Sequence, residues 1–151
     1  MTDDTAAINL AISSGGRYGP SSGETSTTTP AIVYFPSGTY LISTSIIDYD
    51  FTQLIGNPNS IPVIKATAGF TGLGMIDGDQ YQSSGNAGWT STNVFFRQIR
   101  NLKLDLTSIA AATAATGIHW PVGQATSIQN VQIVMSSASG TQHQGLFIEN
   151  G

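Results

Sequence analysis

Apolar and polar side chains alternate strictly in two short stretches of the chain, and the two stretches match. Ile99 to Leu106 reads IRNLKLDL and Ile128 to Met135 reads IQNVQIVM, so that Leu102, Leu104 and Leu106 fall over Val131, Ile133 and Met135 at a constant offset of 29 residues. Lys103 and Asp105 answer Gln132 and Val134 on the opposite side. A second pairing sets Gly117, Ile118, His119 and Trp120 against Gly145, Leu146, Phe147 and Ile148, 28 residues on. Val94, Phe95 and Phe96 read as one copy earlier, at a step of 24. Alternation of period two is the signature of a half-buried strand. Strand-sized repeats at a near-constant period mean that each turn buries its apolar face by stacking on the next. The pattern predicts consecutive coils of a parallel β-helix. Asn101 and Asn130 recur at the same point of each copy, where the chain must bend. Asparagine tolerates left-handed backbone, so the two amides should stack as a ladder.

Elsewhere the pattern is coarser. Thr2 to Ser14 is the one clear helix, with Thr2 or Asp3 as N-cap, Asp3 and Asp4 at its positive end, and Gly15-Gly16 as its stop. Its apolar face is Ala7, Ile8, Ala11 and Ile12, and it is placed to cover the first coil. Residues 17 to 30, with Glu24, form a Ser/Thr/Gly loop. Short strands follow at Ala31 to Phe35, Gly38 to Thr44, Ser45 to Phe51, Thr52 to Ile55, Pro62 to Ala66 and Leu73 to Ile76, bounded by Gly, Pro and Asn. Asp77 to Asn93 reads as a polar loop, and Thr107 to Thr116 as a loop or a helical turn. The expected organisation is a single partial β-helix domain over 1–151, with 1–16 as capping helix and turn and 31–151 as coils. No closing helix follows Glu149, which reads as a fragment, or as an open coil covered by another chain. Met1 directly before Thr2 reads as an added start.

Composition narrows the function. Only 9% of the 151 residues are charged, against a typical quarter, while Ser, Thr, Gly and Asn abound. Such a surface suits an extracellular protein that handles neutral sugars. Five Lys and Arg against nine Asp and Glu give a net charge of −4. With no basic cluster, nucleic acid is an unsuitable partner. There is no cysteine, and no apolar run long enough to cross a bilayer. Two histidines and scattered aspartates offer no zinc or calcium spacing, so no metal or other cofactor is expected.

Several polar residues are candidates for chemistry. Gln142, His143 and Gln144 are the densest polar cluster in an apolar-patterned stretch, and an amide can orient a neutral water because it both donates and accepts. By parity Gln144 shares a face with Leu146 and Ile148; structural amide ladders are the competing explanation. Glu149 falls on the outer face with His143 and Phe147. His119 beside Trp120 could form a sugar subsite, the indole stacking on a pyranose and the imidazole bonding a hydroxyl, although Trp is also a common core filler. Tyr81 and Trp89, in the polar loop, are candidate exposed stacking platforms. Asp77 and Asp79 read as solvated or backbone-bonded turn residues, and Asp105, beside Lys103, as solvated.

The segments TDDTAAIN, VYFPSGTYLIS, TQLIGNP, STNVFFRQIRNL, ATGIHWPVGQATSIQNV and SGTQHQGLFIENG, in this order over nearly the whole chain, resemble the N-terminal part of fungal family-55 glycoside hydrolases, which are exo-acting β-1,3-glucanases. The resemblance implies two tandem right-handed parallel β-helices with the active site between them, a pectate-lyase-like fold and hydrolysis with inversion. In an inverting glycosidase one carboxylic acid protonates the leaving oxygen while a water attacks from the opposite face. The resemblance implies that the acid is a Glu of a second domain, absent here, and that polar side chains of the first domain hold the water. Its water-holding Gln corresponds to Gln142 or Gln144, with Gln144 preferred. The partners implied are β-1,3-glucan and the second β-helix domain, in a secreted protein whose signal peptide is not in this chain, and the fragment alone should be inactive. Pectate lyases need an Asp cluster with an Arg base, and polygalacturonases carry Gly-His-Gly; here His143 is flanked by Gln. The alternatives are another carbohydrate-active or carbohydrate-binding β-helix, or a structural piece that self-associates through its open C-terminal coil.

Overall fold

The computed structural model describes residues 2–20, 27–85, 88–89, 94–121 and 123–149. Glu24 lies outside them. Among them are one helix, α1 (Thr5–Ser13), and eight strands: β1 (Ala31–Phe35), β2 (Thr39–Ile47), β3 (Thr52–Gly56), β4 (Val63–Asp77), β5 (Gln98–Asp105), β6 (Ala115–Pro121), β7 (Ser127–Val134) and β8 (His143–Glu149). All of the strand pairings are parallel. The pairings fall into three ladders of four rungs. In the first, β1 pairs β3, β3 pairs the start of β5, and β5 pairs the start of β7. In the second, β2, the start of β4, and the ends of β5 and β7 pair in turn. In the third, the end of β2 pairs the end of β4, which pairs β6, which pairs β8.

The registers inferred from the repeat are those observed. Ile99 pairs with Ile128, Leu102 with Val131 and Leu104 with Ile133; Ile118 pairs with Leu146, His119 with Phe147 and Trp120 with Ile148. Ile99, Leu102, Leu104 and Ile118 are fully buried, and each such side chain contributes roughly 1.5–3 kcal/mol relative to exposure. On the last rung Leu146 and Ile148 point the same way but are 39% and 56% exposed.

Between the first and second ladders β5 and β7 bend at Asn101 and Asn130, whose φ angles are 56° and 52°. The Asn130 amide donates to the Asn101 side-chain oxygen at 2.8 Å, and the Asn101 amide donates to the Gly56 carbonyl at 3.4 Å. The asparagine ladder therefore holds the bend on successive rungs. Val94 to Phe96 is not a copy of the third ladder. Phe51, Phe96 and Ala125 share φ of 56–57°, with Phe51 N–H bonded to the Phe95 carbonyl and Phe96 N–H to the Gln124 carbonyl. These residues repeat the corner leading into the first ladder, because a left-handed residue is needed there and not an extended one.

Two strand boundaries differ from the sequence reading. β2 runs unbroken through Ser45, and the segments around Pro62–Ala66 and Leu73–Ile76 are one strand, β4. The register between them shifts twice, between Ile42 and Thr44 and between Thr44 and Ile46. Extra residues in β4 are accommodated as bulges, which keep pairing while hiding the period.

The helix begins later and caps differently from expectation. Asp4 is the N-cap and its side chain does not cap. Instead Asp4 exchanges bonds with Leu41, its N–H donating to the Leu41 carbonyl and its carboxylate accepting the Leu41 N–H, while Asp3 accepts from Thr5 and the Ser43 hydroxyl. Asn9 donates to the Ser45 carbonyl and accepts from Ile47 N–H. The helix thus satisfies the otherwise unpaired edge of β2 with side chains, which suppresses pairing with another chain. Ile8 and Ile12 are buried beneath it, whereas Ala7 and Ala11 are exposed. Among the described residues, no helix is long and apolar enough to cross a membrane.

The corner joining the third ladder to the first holds buried charge. Arg97 is fully buried; its guanidinium donates to the carbonyls of Gly78 and Pro121 and lies 4.3 Å over the Trp120 ring. Asp48 is fully buried, and neither carboxylate oxygen has a hydrogen-bond partner among the described residues. Desolvation pushes its pKa from 3.8 up to about 7, against the opposing pull of Arg97 and Arg17.

Two outcomes follow. Asn101→Ala should destabilise the protein by roughly 1–3 kcal/mol, from left-handed strain and the lost ladder bond, while Asn101→Gly, which accepts the φ, should lose less; urea unfolding at equilibrium measures both. The raised pKa of Asp48 gives a stability contribution that is full below pH 3.8 and lost as pH rises through about 7. Asp48→Asn should remove that decline, seen as a flatter unfolding free energy between pH 5 and 8 than in the parent.

Candidate functional site

The outer face of the third ladder collects most of the polar side chains that could act together. Along β6, Thr116, Ile118 and Trp120 face the core and His119 faces the other way, because successive strand residues alternate sides. Parallel register sets Asp77, His119 and Phe147 in one column across three rungs. His119 is fully buried. Its Nδ1 lies 2.7 Å from Asp77 Oδ1 and its Nε2 lies 2.6 Å from Glu149 Oε1. Phe147 stacks on the imidazole, with centroids 5.3 Å apart and planes 21° apart, and Tyr81 lies on it at 5.6 Å. The Tyr81 hydroxyl donates to the same Glu149 oxygen.

With a carboxyl group facing each ring nitrogen, the arrangement favours an N–H at both, the imidazolium form. Burial opposes that charge, but the bonds to Asp77 and Glu149 outweigh it and raise the His119 pKa above 6.5. Burial would likewise push Glu149 up, yet the Tyr81 and His119 bonds prevail and hold it below its ordinary value. The Tyr81 hydroxyl, bonded to Glu149 and then partly desolvated, is pushed up to about 12. The site is a fixed carboxylate beside an aromatic ring. Its ionised Glu149 is suited to accepting hydroxyl hydrogens and unsuited to donating a proton to a leaving group.

The network continues inward. Asp77 Oδ1 accepts the Asp79 N–H at 3.2 Å, and Asp79 Oδ1 accepts the Trp89 N–H at 3.0 Å. Asp77 and Asp79 are backbone-bonded, as one of the two readings has it, and buried, not solvated. These bonds fold the loop after β4 over the sheet and carry Trp89 inside. Trp89, expected as an exposed platform, is fully buried and packs edge-on against Tyr49 at 5.5 Å. Trp120 is a core residue beneath Arg97, on the side of β6 opposite His119, so the two cannot face one sugar together. Asp105 pairs with Lys65 of the neighbouring rung at 3.5 Å and not with Lys103.

Tyr81 and Glu149 do meet at the surface. His143 holds a turn: its Nδ1 accepts the Ser136 N–H at 3.1 Å and its Nε2 lies 3.3 Å from the Ala110 carbonyl. Gln142 is exposed, with its backbone N–H on the Ala111 carbonyl. Gln144 pairs in register with Thr116 on the core-facing side of β8, where its side chain is exposed. Gln144 and the His119 cluster therefore occupy different faces of β8, and Gln142 precedes the strand. Phe147 and Asp77 were missed as site residues. Phe147 was already aligned with His119 by the 28-residue step; Asp77 had no such signal, since the loop between β4 and β5 breaks the period. Among the described residues no group of three or more His, Cys, Asp or Glu is placed to hold a metal ion.

Comparison with known proteins agrees with this architecture. A glucan 1,3-beta-glucosidase of Cochliobolus carbonum is 53% identical over 152 aligned residues, covering 100% of this chain and 19% of that protein. A probable glucan endo-1,3-beta-glucosidase of Arthroderma benhamiae is 49% identical, covering 99% of this chain and 17% of its own length. A protein of Penicillium expansum named non-secreted LysM effector LysM15 is 47% identical over the whole chain, which is 11% of that protein. The chain thus spans 11% to 19% of the length of the curated relatives it matches. The family model for rhamnogalacturonase A/epimerase, pectate lyase-like, matches residues 1–151, and the chain with its stacked parallel ladders belongs to that pectate-lyase-like family.

Proposed function

We propose that this chain is the glucan-binding portion of a secreted glycoside hydrolase that cleaves β-1,3-glucan from the chain end with inversion. It is read as one right-handed parallel β-helix domain, capped by α1 and completed by a second β-helix domain. The observation that carries the reading is the exposed Tyr81 ring with its hydroxyl bonded to the Glu149 carboxylate, a pairing that suits a neutral, hydroxyl-rich ligand, in a chain three of whose relatives are named glucan 1,3-beta-glucosidase or glucan endo-1,3-beta-glucosidase. Inversion needs an acid and a positioned water. Because Glu149 is held ionised, it is no candidate for the acid, which supports an acid supplied by the second domain. The amides of Gln142 and Gln144 are the proposed water-holding groups, able to orient a water without charging it; Gln144 faces away from Tyr81 and Glu149 across β8, so the water site and the sugar contact at Tyr81 are separate subsites.

The alternative is a scaffold that self-associates, favoured by Leu146 and Ile148, 39% and 56% exposed on the core-facing side of β8. It requires concentration-dependent association by size-exclusion chromatography without sugar binding.

The glucan reading predicts that the chain binds laminari-oligosaccharides and does not hydrolyse laminarin alone. Tyr81→Ala and Glu149→Gln should each weaken binding by about tenfold, the equivalent of one hydrogen bond to a charged group, measured by isothermal titration calorimetry. Laminarin hydrolysis by the isolated chain would refute the divided site.

A further inference from the structure

We propose that His119 is a proton-operated clasp: charged, it ties Glu149, and through Glu149 the Tyr81 hydroxyl, to the buried Asp77; neutral, it keeps Asp77 and lets Glu149 go. The two ends of the clasp are unequal. The Asp77 side chain is 3% exposed and that of Glu149 24%. Asp77 Oδ1 also accepts the Asp79 N–H, and Arg97 interacts with its charge. A neutral imidazole carries one N–H. Withdrawing that N–H from the buried carboxylate costs more than withdrawing it from the partly exposed one, which water can solvate. The proton therefore stays on Nδ1, toward Asp77. His119 Nε2 and Glu149 Oε1, 2.6 Å apart in the closed form, then face each other as two lone pairs and separate. The imidazole cannot follow Glu149, because Phe147 stacks on it and Asp77 holds its other nitrogen. Tyr81, whose hydroxyl donates to the same Glu149 oxygen, loses its fixed partner in turn.

The neighbours of the ring leave the imidazole as the group that changes. Burial pushes Glu149 up, but the Tyr81 and His119 bonds hold it below its ordinary value. Tyr81, bonded to Glu149, is pushed up to about 12, so both keep one form at neutral pH. Phe147 and Ile47 are the uncharged members of the same column, and Arg97 stays a cation. Asp79, pushed up by burial, reaches the ring only through Asp77. Asp48, beyond Arg97, has a competing transition near pH 7. For His119 itself burial opposes the charge, and the bonds to Asp77 and Glu149 outweigh it. The clasp is therefore closed below pH 6.5 and opens as the pH rises through the higher value that the two carboxylates impose. Its consequence for ligand rests on the glucan-binding reading: Tyr81 and Glu149 are presented together in the closed form, and affinity falls on the alkaline side.

The test follows the His119 imidazole by NMR from about pH 5 to 9, with His143→Gln to tell the two histidines apart. The parent should titrate above 6.5, and the Tyr81 ring signals should change with the same midpoint. Glu149→Gln removes one end of the clasp; it should lower the imidazole midpoint by roughly one pH unit or more and leave the Tyr81 signals indifferent to it. Asp48→Asn should leave both responses of the parent in place. An imidazole already neutral at about pH 6, or Tyr81 signals that ignore the imidazole midpoint or lose their response in Asp48→Asn, would overturn the clasp. Calorimetry adds the sugar: the parent should bind a laminari-oligosaccharide about tenfold more weakly above the midpoint than below it, and Glu149→Gln equally on both sides. Absence of binding at every pH would overturn the glucan-binding reading and leave the clasp to the NMR result. Parent affinity that stays level while Tyr81 is released would remove Tyr81 and Glu149 from the sugar contact and leave the clasp standing.

Discussion

One constraint places the side chains of the candidate site: backbone hydrogen bonds lock each strand in parallel register with the strand of the preceding rung. Register decides which residues become vertical neighbours, and alternation decides which of those columns enter the core. Ile76, Ile118 and Leu146 form an inner column; Asp77, His119 and Phe147, one residue along, form an outer one. A slip of one residue in β6 would exchange the two, burying the imidazole among isoleucines and exposing Trp120. The chemistry of the outer face is therefore a by-product of the packing of the inner one.

Much of this was legible where rungs have equal length. Between the third and fourth rungs the offset is 29 at Ile99 and Leu104 and 28 at Ile118, so side chains that touch are aligned by eye, and Asn101 over Asn130 announced the bend as well. Between the second and third rungs the offset is 45 at Leu54, 40 at Ile64 and 42 at Ile76. No fixed period survives such variation, and the contact of Asp77 with His119 was invisible for that reason. Polarity left two readings open for an aspartate in a Gly/Ser loop, solvated or backbone-bonded; Asp79 takes the second, its carboxylate binding the Trp89 N–H and drawing an aromatic ring inside, and polarity alone held no sign of that burial. Gln144 shows the reverse, a polar residue correctly assigned to the core-facing column by parity; that assignment sets it apart from the cluster around His119.

The buried charges at the corner extend the same logic. Arg97 reaches the Gly78 and Pro121 carbonyls at the ends of β4 and β6, where the ladder hydrogen bonds stop and carbonyls would otherwise be orphaned. A guanidinium can serve several carbonyls at once because its donors are fixed in a planar fork. Its desolvation lowers its own pKa and is offset in part by Asp48, Asp79, Asp50 and Asp77. The corner is thereby closed by charge where turns elsewhere are closed by backbone, and the surface column ends on the same aspartates.

The loop that leaves β4 at Asp77 and returns at Gln98 absorbs the unequal rung lengths without disturbing the pairs on either side. It also brings the Tyr81 hydroxyl to the Glu149 carboxylate. That excursion can thus be lengthened, shortened or recast while the stacked hydrophobic interior keeps its registers.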